Sequence, residues 1–329
     1  MLPLVKHNYA FSGGIVNFFK RRAIRILPPY YLSVCFSLFL IWFFIGDKTG
    51  THWDVSLPVK EQVIFTHLFL IHDFFSSHIF RINHVLWSIS VESRIYLLFP
   101  ALIFIWKRYG IAITILTGLF SCIAMYYLLI ICNSFYTDIN TGFAGVNPYI
   151  LLFIFGMVAA AVTTSGDKSK SSFLNYSWTL ILVITVLIFV LFKLFSRTYL
   201  ADHFVLSDKI TDILFGLVSS ALIIYCFKRE LVYKKSVLFS WRPVVFLGSF
   251  AYSVYLFHAP LLQLLTQYAL SPLHLSSYSS VLILMIPGTA VILGIIYVLF
   301  LFCELPFLNL LKTSSKSATG IETVKSPAP

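Results

Sequence analysis

FFKRRAIRILPPYYLSVCFSLFLIWFFI, Phe18 to Ile45, decides the fold class. Four basic side chains, Lys20, Arg21, Arg22 and Arg25, precede a run from Ile26 to Ile45 that carries no charge. A hydrocarbon core about 30 Å thick needs about 20 apolar helical residues, because each backbone group left unpaired in lipid costs several kcal/mol. The stretch therefore reads as a membrane-spanning helix whose basic end lies in the cytoplasm.

Seven further stretches of this kind follow: Leu86–Trp106, Ile111–Cys132, Pro148–Thr164, Ser177–Phe195, Ile210–Phe227, Val244–Leu265 and Val281–Cys303. A shorter apolar segment, Val63–Phe75, holds His67, His72 and Asp73 and is too short to cross, so it reads as interfacial or re-entrant. The expected fold is all-α, a polytopic transmembrane helix bundle of about eight spans with both termini cytoplasmic. Residues 1–312 form its membrane domain, and the polar, Ser/Thr/Pro-containing stretch 313–329 reads as a disordered cytoplasmic tail.

Composition agrees. With 59% hydrophobic and 11% charged residues and a mean hydropathy of +0.88, the chain is not a water-soluble globular enzyme. The net charge of +11 suggests nucleic acid at first, but the basic residues sit between apolar stretches and not on one face, so no nucleic-acid partner is expected. With the N-terminus inside, seventeen Lys and Arg fall on the cytoplasmic side and six on the other, with Arg94 alone inside a span. One more crossing at Val63–Phe75 would invert every later loop and destroy that bias. The five cysteines are odd in number, lie in apolar runs and form no CxxC, so neither disulfides nor a zinc site is expected. Met1 to Phe11 holds Lys6 and His7 with no apolar core and cleavage site behind them, which argues against a cleaved signal peptide.

Chemistry is sought where lipid penalises it. In HVLWSISVESRIYLLFP, His84 to Pro100, Glu92 and Arg94 are ionisable groups within a span. Two residues apart on a helix they point in different directions, so each needs its own partner, either in a structural ion pair or in a polar cavity. Arg22 and Arg25 share a helical face, where two guanidinium forks can grip phosphate oxygens; topology or lipid headgroup contact is the plainer reading. GSFAYSVYLFHAPLL, Gly248 to Leu262, sets His258 in an apolar helix near Tyr252, Ser253 and Tyr255, as a packing residue or a base. Glu304, in FLFCELPFL, ends the last span and is best read as answering an arginine. His52, His67, His72, His78 and His84 crowd the first outer region without a compact zinc spacing. His67 to Asp73 approaches an HxxxxD box, but His72 stands where the carboxylate belongs, so that box is set aside.

In this order, FFKRRAIRILPPYY, LFLIHDFF, HVLWSISVESRIYLLFP, GSFAYSVYLFHAPLL and FCELPF resemble the bacterial membrane acyltransferase family that includes polysaccharide O-acetyltransferases, often called acyltransferase family three. The resemblance runs from about Phe18 to Phe307. It implies an enzyme of the bacterial inner membrane that moves an acyl group, commonly acetyl from cytoplasmic acetyl-CoA, onto a hydroxyl of a cell-surface sugar or its lipid-linked precursor. Acyl-CoA, the carbohydrate acceptor and membrane lipid are its implied partners, with no bound cofactor and no metal. The family's RxxR matches Arg22 and Arg25, which would hold the CoA phosphates. Its tryptophan-serine-x-serine-valine-glutamate run matches Trp87, Ser88, Ser90, Val91 and Glu92, lining the cavity, and Ser93 and Arg94 replace a usual second polar pair. Tyr255, Leu256 and His258 match a late-helix motif, and Glu304, Pro306 and Phe307 a closing one.

The family's first two helices, the first bearing a proposed catalytic histidine, have no counterpart ahead of Arg22, and His7 is not assigned that role. Eight spans equal the family's ten less those two. Glu92 and His258 are the catalytic expectations, Glu92 first; Arg22, Arg25, Trp87, Ser90, Arg94, Tyr255 and Glu304 are expected to bind substrate. The missing helices mean either that the true start lies upstream of Met1 or that this is a shortened relative that is inactive or needs a partner, and a transporter or flippase of a lipid-linked sugar also stays open.

Overall fold

A computed structural model describes residues 11, 13–141, 149–164, 171–199, 204–233, 241–274 and 276–311. His7 and the expected tail 313–329 lie outside the described residues. Helices dominate: α1 (Gly14–Leu40, continued by a π-helical turn Ile41–Ile45), α2 (Glu61–Leu68), α3 (Trp87–Phe135), α4 (Tyr149–Thr164), α5 (Ser171–Tyr199) and α6 (Phe204–Tyr233). Then come α7 (Arg242–Ser249), α8 (Ala251–Leu264), α9 (Ser277–Ile283) and α10 (Thr289–Cys303). Among the described residues the extended pairing is one isolated bridge, Phe75 with Ile139. The chain is an all-α, multi-pass membrane protein.

Each of the eight expected stretches falls on helix, with Pro148 outside the described residues. Among the described residues five helices qualify by length and composition as crossing a membrane, or six when α7 and the helix from Ala251 to Leu273, bent by 73°, count as one broken span. The run α3 counts once although it holds two expected spans: Arg94 lies over the Phe74 ring while Phe75 bridges Ile139, so the chain doubles back between a helix ending at Tyr109 and one from Ile111 to Phe135. It breaks at Gly110, whose φ of 82° is left-handed and open to glycine without a Cβ clash. The remaining shortfall is α4, whose 16 residues are too few to pass as a full span.

The chain divides into two compact units. The first comprises Met1–Ile15, Phe74–Ser76 and Val91–Val245; within it α5 packs on α6 and α4 on α6. The second comprises Val16–Asp73, Ser77–Ser90 and Phe246–Pro329, with Tyr30, Ile82, Leu86, Leu256, Phe257 and Ile296 wholly buried. Within this unit Phe36 of α1 meets Phe257 of α8 edge-on at 5.4 Å. Leu40, Ile41, Ile45, Trp53, Leu57 and Ala259 cluster at the outer end of α1. Elsewhere apolar side chains such as Phe39, Trp42, Leu180 and Val298 are exposed, as a lipid-facing surface requires.

Val63–Phe75 is a hairpin that enters the second unit. Tyr30 Oη donates to the His67 carbonyl at 2.9 Å and Tyr31 Oη to the Leu68 carbonyl at 2.8 Å. Along α1, Tyr30 lies about 22 Å from Ile45 but only about 8 Å from Arg25. The tip of the hairpin therefore lies beside the Pro28–Pro29 turn of α1. Its turn is a Schellman closure, with Ile71 N–H on the Thr66 carbonyl and Leu70 N–H on the His67 carbonyl. Leu70 occupies the left-handed position at φ 55°, where glycine is usual, and Ile82 on the return limb stands at φ 64°. The Ile82 N–H closes that limb onto the Ser56 carbonyl in the outer loop at 3.0 Å.

Candidate functional site

Three polar groups line the second unit. The outermost gathers His52, His84 and His258. His84 sits 5.2 Å from the His52 ring and 5.5 Å from Trp53, and its Nδ1 lies 3.5 Å from Ser56 Oγ. Burial, then the like charges of His52 and His258, push its pKa down to about 4. His258 Nδ1 faces the carbonyls of Val254 and Tyr255 at 3.0 and 2.9 Å. Carbonyls only accept, so Nδ1 carries the hydrogen and the neutral ring keeps its lone pair on Nε2. One helical turn earlier, Tyr255 Oη donates to the Val85 carbonyl at 2.6 Å and meets Ser88 Oγ at 2.5 Å. With the phenolic proton spent on Val85, Ser88 is the donor of the second bond. The Tyr255 hydroxyl thus ties α8 to the start of α3, one helical turn from His258.

The middle group lies at the hairpin tip. His67 and His72, both wholly buried, stack at 3.7 Å with 10° between their planes. Ser90 Oγ lies 3.2 Å from His72 Nδ1, and His67 Nδ1 lies 2.8 Å from the Val63 carbonyl. Asp73 is wholly buried beside them, and Thr66 Oγ contacts His78 Nδ1 at 3.2 Å. Asn83, also wholly buried, donates to the Leu256 carbonyl at 3.0 Å and reaches Ser37 Oγ at 3.4 Å, fixing the return limb between α1 and α8.

The innermost group centres on Glu304, 3% exposed, whose Oε2 accepts from the Ser253 backbone N–H at 3.1 Å and from Ser253 Oγ at 2.5 Å. Arg25 acts on it electrostatically. Tyr252 Oη donates to the Ile26 carbonyl at 3.1 Å, joining α8 to α1 one turn below the Pro28–Pro29 pair. Each proline lacks an N–H, so the carbonyls of Ile24 and Arg25 lose their usual helical donors at this mouth. Arg25 is exposed, and the Arg22 guanidinium sits 5.7 Å from the Phe18 ring. Glu304 was expected to answer an arginine; the hydrogen bonds it accepts come from Ser253.

Glu92 and Arg94 fall in the first unit, each with its own neighbour as their spacing requires. Tyr96 Oη donates to Glu92 Oε1 at 2.8 Å, and the Arg94 guanidinium stands 4.5 Å over the Phe74 ring. Trp87, half-buried, opens α3 beside Ser88. Thus Tyr255, His258 and Ser88 come together, Ser90 joins His72, Glu304 joins Ser253, and Glu92 stands with Tyr96. The sequence reading missed His84, His52, Asn83 and the His67–His72 contact. The crowding of five histidines in the first outer region was their signal, but it was weighed only as metal chemistry. Among the described residues no three His, Cys, Asp or Glu side chains converge as metal ligands. A groove of about 350 Å³ on the same unit, lined by Phe44, Leu261, Leu265, Tyr268, Val291 and Ile295, is apolar and holds none of the expected site residues.

The family model described as an acyltransferase domain matches residues 11–303. The peptidoglycan O-acetyltransferase OatA of Listeria monocytogenes serovar 1/2a is 23% identical over 278 residues, covering 78% of this chain. The chain spans only 41% of the length of that relative. No solved structure matches the chain significantly.

Proposed function

The chain belongs to this acyltransferase-domain family, and on that premise we propose that it transfers an acyl group, acetyl in the simplest case, from cytoplasmic acyl-CoA to a hydroxyl of a cell-envelope carbohydrate or its lipid-linked precursor. A bacterial inner membrane is the proposed setting. The observation that carries the reading is His258: an imidazole with its tautomer fixed by two helix carbonyls, half-buried beside His84, and presenting Nε2 as a proton acceptor.

The steps follow from the residues. Arg22 and Arg25 hold the phosphates of CoA at the basic mouth, where bidentate guanidinium contacts orient the thioester. His258 Nε2 takes the proton of the acceptor hydroxyl, whose oxygen attacks the thioester carbonyl. The oxygen–carbon bond forms, the carbon–sulfur bond breaks, and CoA leaves as the thiol. The match of the acyltransferase family over most of the chain supports this reading over a transporter, and the name of the Listeria relative supports a glycan acceptor.

The test is acetyl transfer from radiolabelled acetyl-CoA to peptidoglycan oligosaccharides by the protein in proteoliposomes. His258→Gln is expected to lower kcat on the order of 100-fold or more, the range of a lost general base, with a smaller loss in Glu92→Gln. Wild-type rates in His258→Gln would remove His258 as the base. Flux of a lipid-linked sugar without acetyl-CoA turnover would favour the transporter.

A further inference from the structure

We infer that the apolar groove between the turn Ile41–Ile45, α8 and α10 holds the hydrocarbon tail of a lipid-linked sugar acceptor and leaves the sugar at the adjoining outer histidines. This rests on the acyl-transfer reading and narrows its acceptor to the lipid-borne form.

Helix geometry builds this groove. Three π-helical turns occur among the described residues, Ile41–Ile45, Leu265–Leu270 and Leu284–Gly288. The first two supply its walls, through Phe44 and through Leu265 and Tyr268. The third abuts them at buried Gly288, where a Cβ would stand 3.0 Å from Leu265 Cδ2. A π turn inserts one extra residue and pushes a helix face outward; such turns are rare and gather at functional sites. The walls enclose about 350 Å³, within the range of small-molecule sites. Phe44, Tyr268, Val291 and Ile295 are also exposed, so the groove opens sideways onto the surface that lipid covers.

The rim of the groove selects the lipid. Tyr268 Oη donates to the Phe44 carbonyl at 2.5 Å and Gln267 Nε2 to the Ile45 carbonyl at 3.3 Å, closing backbone groups at the end of the first π turn. From Gln267 a line of side-chain bonds runs to the outer loop. Gln263 Nε2 donates to Gln267 Oε1 at 3.0 Å, and Thr51 Oγ1 donates to Gln263 Oε1 at 2.8 Å. Thr51 directly precedes His52 and Trp53, whose rings stand beside His84. The apolar wall thus ends in a polar line that is continuous with the outer histidines. The same helix serves both, since Leu261 of the wall lies one helical turn from His258. A tail seated in the groove leaves its head at that line. Any lipid tail fits an apolar wall, but only a lipid that carries the hydroxyl to be acylated gains from a head placed at the histidines.

The experiment gives the full chain in proteoliposomes acetyl-CoA with either a polyprenyl-pyrophosphate-linked disaccharide or a soluble peptidoglycan oligosaccharide. Ala269→Phe and Val291→Phe each put a ring into the groove from an exposed position, so the buried core is untouched. Each is expected to raise KM for the lipid-linked acceptor about tenfold and to leave KM for acetyl-CoA and for the tail-free oligosaccharide within about twofold. Folded variants with an unchanged KM for the lipid-linked acceptor overturn the groove as its site. An equal loss with both acceptors makes the changes structural and also overturns it. Occupancy is read without turnover by p-benzoylphenylalanine placed at position 291 and irradiated in phospholipid vesicles that contain the lipid-linked disaccharide. A crosslink to the disaccharide lipid is expected, and crosslinks to phospholipid alone overturn the proposal while acyl transfer stands. A wild-type protein that crosslinks the disaccharide lipid but moves no acetyl group to either acceptor overturns the acyl-transfer reading, and the acceptor role of that lipid with it.

Discussion

The Ser253–Glu304 pair joins the helix that carries His258 to the end of the last span, and its strength follows from its contacts. Glu304 is 3% exposed and Ser253 wholly buried, and the carboxylate accepts the Ser253 hydroxyl at 2.5 Å and its backbone N–H at 3.1 Å. Ser253→Ala removes the hydroxyl and keeps the N–H, so one charge-assisted bond is lost, about 1.5–3 kcal/mol. Glu304→Gln keeps the shape and an acceptor oxygen but loses the charge, and about 1–2 kcal/mol is expected. Both changes act on one hydrogen bond, so the double variant should be less destabilised than the sum of the singles by about 1 kcal/mol. The assay is reversible unfolding in mixed detergent micelles, followed by far-ultraviolet circular dichroism for all four proteins. Additivity within about 0.3 kcal/mol would refute the reasoning, because the two side chains would then not share the bond.

Three other outcomes are expected. Tyr255→Phe removes the two hydroxyl contacts that tie α8 to the start of α3 and should cost about 1–2 kcal/mol in the same unfolding assay; no change would show that the lock is idle. Replacing Arg22 and Arg25 together by Gln should raise KM for acetyl-CoA about tenfold or more with a smaller effect on kcat, whereas an unchanged KM assigns these arginines to topology alone. His84, held down to about 4 by burial, stays neutral in the folded protein while its unfolded counterpart gains a proton near 6.5. The stability it contributes is complete above pH 6.5 and is lost as pH falls toward 4. The Trp53-dependent fluorescence, measured against Trp53→Phe, should be quenched with a midpoint near 4, and a midpoint near 6.5 would contradict the burial of His84.

Much of the fold was legible because lipid imposes a simple rule: a backbone without water must close its own hydrogen bonds, so length and hydropathy mark the helices. Hence Phe18–Ile45 was readable from its charges and its apolar run, and Val63–Phe75 was recognised as too short to cross. The break between Leu86–Trp106 and Ile111–Cys132 was legible as well, and in the structure it falls at Gly110, where a left-handed φ lets the chain leave one helix and enter the next. Dense motifs marked Arg22, Ser90, Glu92, His258 and Glu304 as candidates, but a motif does not say which side chains they meet.

By itself, then, the sequence determined a multi-pass, all-α membrane protein with a basic cytoplasmic bias and a short list of polar residues that lipid would not tolerate without work to do. Tertiary structure decided which of those residues meet. Hydropathy is summed along the chain, but a hydrogen bond or a ring stack needs two groups brought within 3 to 4 Å, and those partners lie far apart in sequence. Tyr255 meets Ser88 and Val85, Glu304 meets Ser253, and Asn83 meets Leu256 only after α1, α8 and the hairpin have packed. His67 and His72, which a linear reading set aside as a failed box, stack on one another because a left-handed leucine folds the chain back between them.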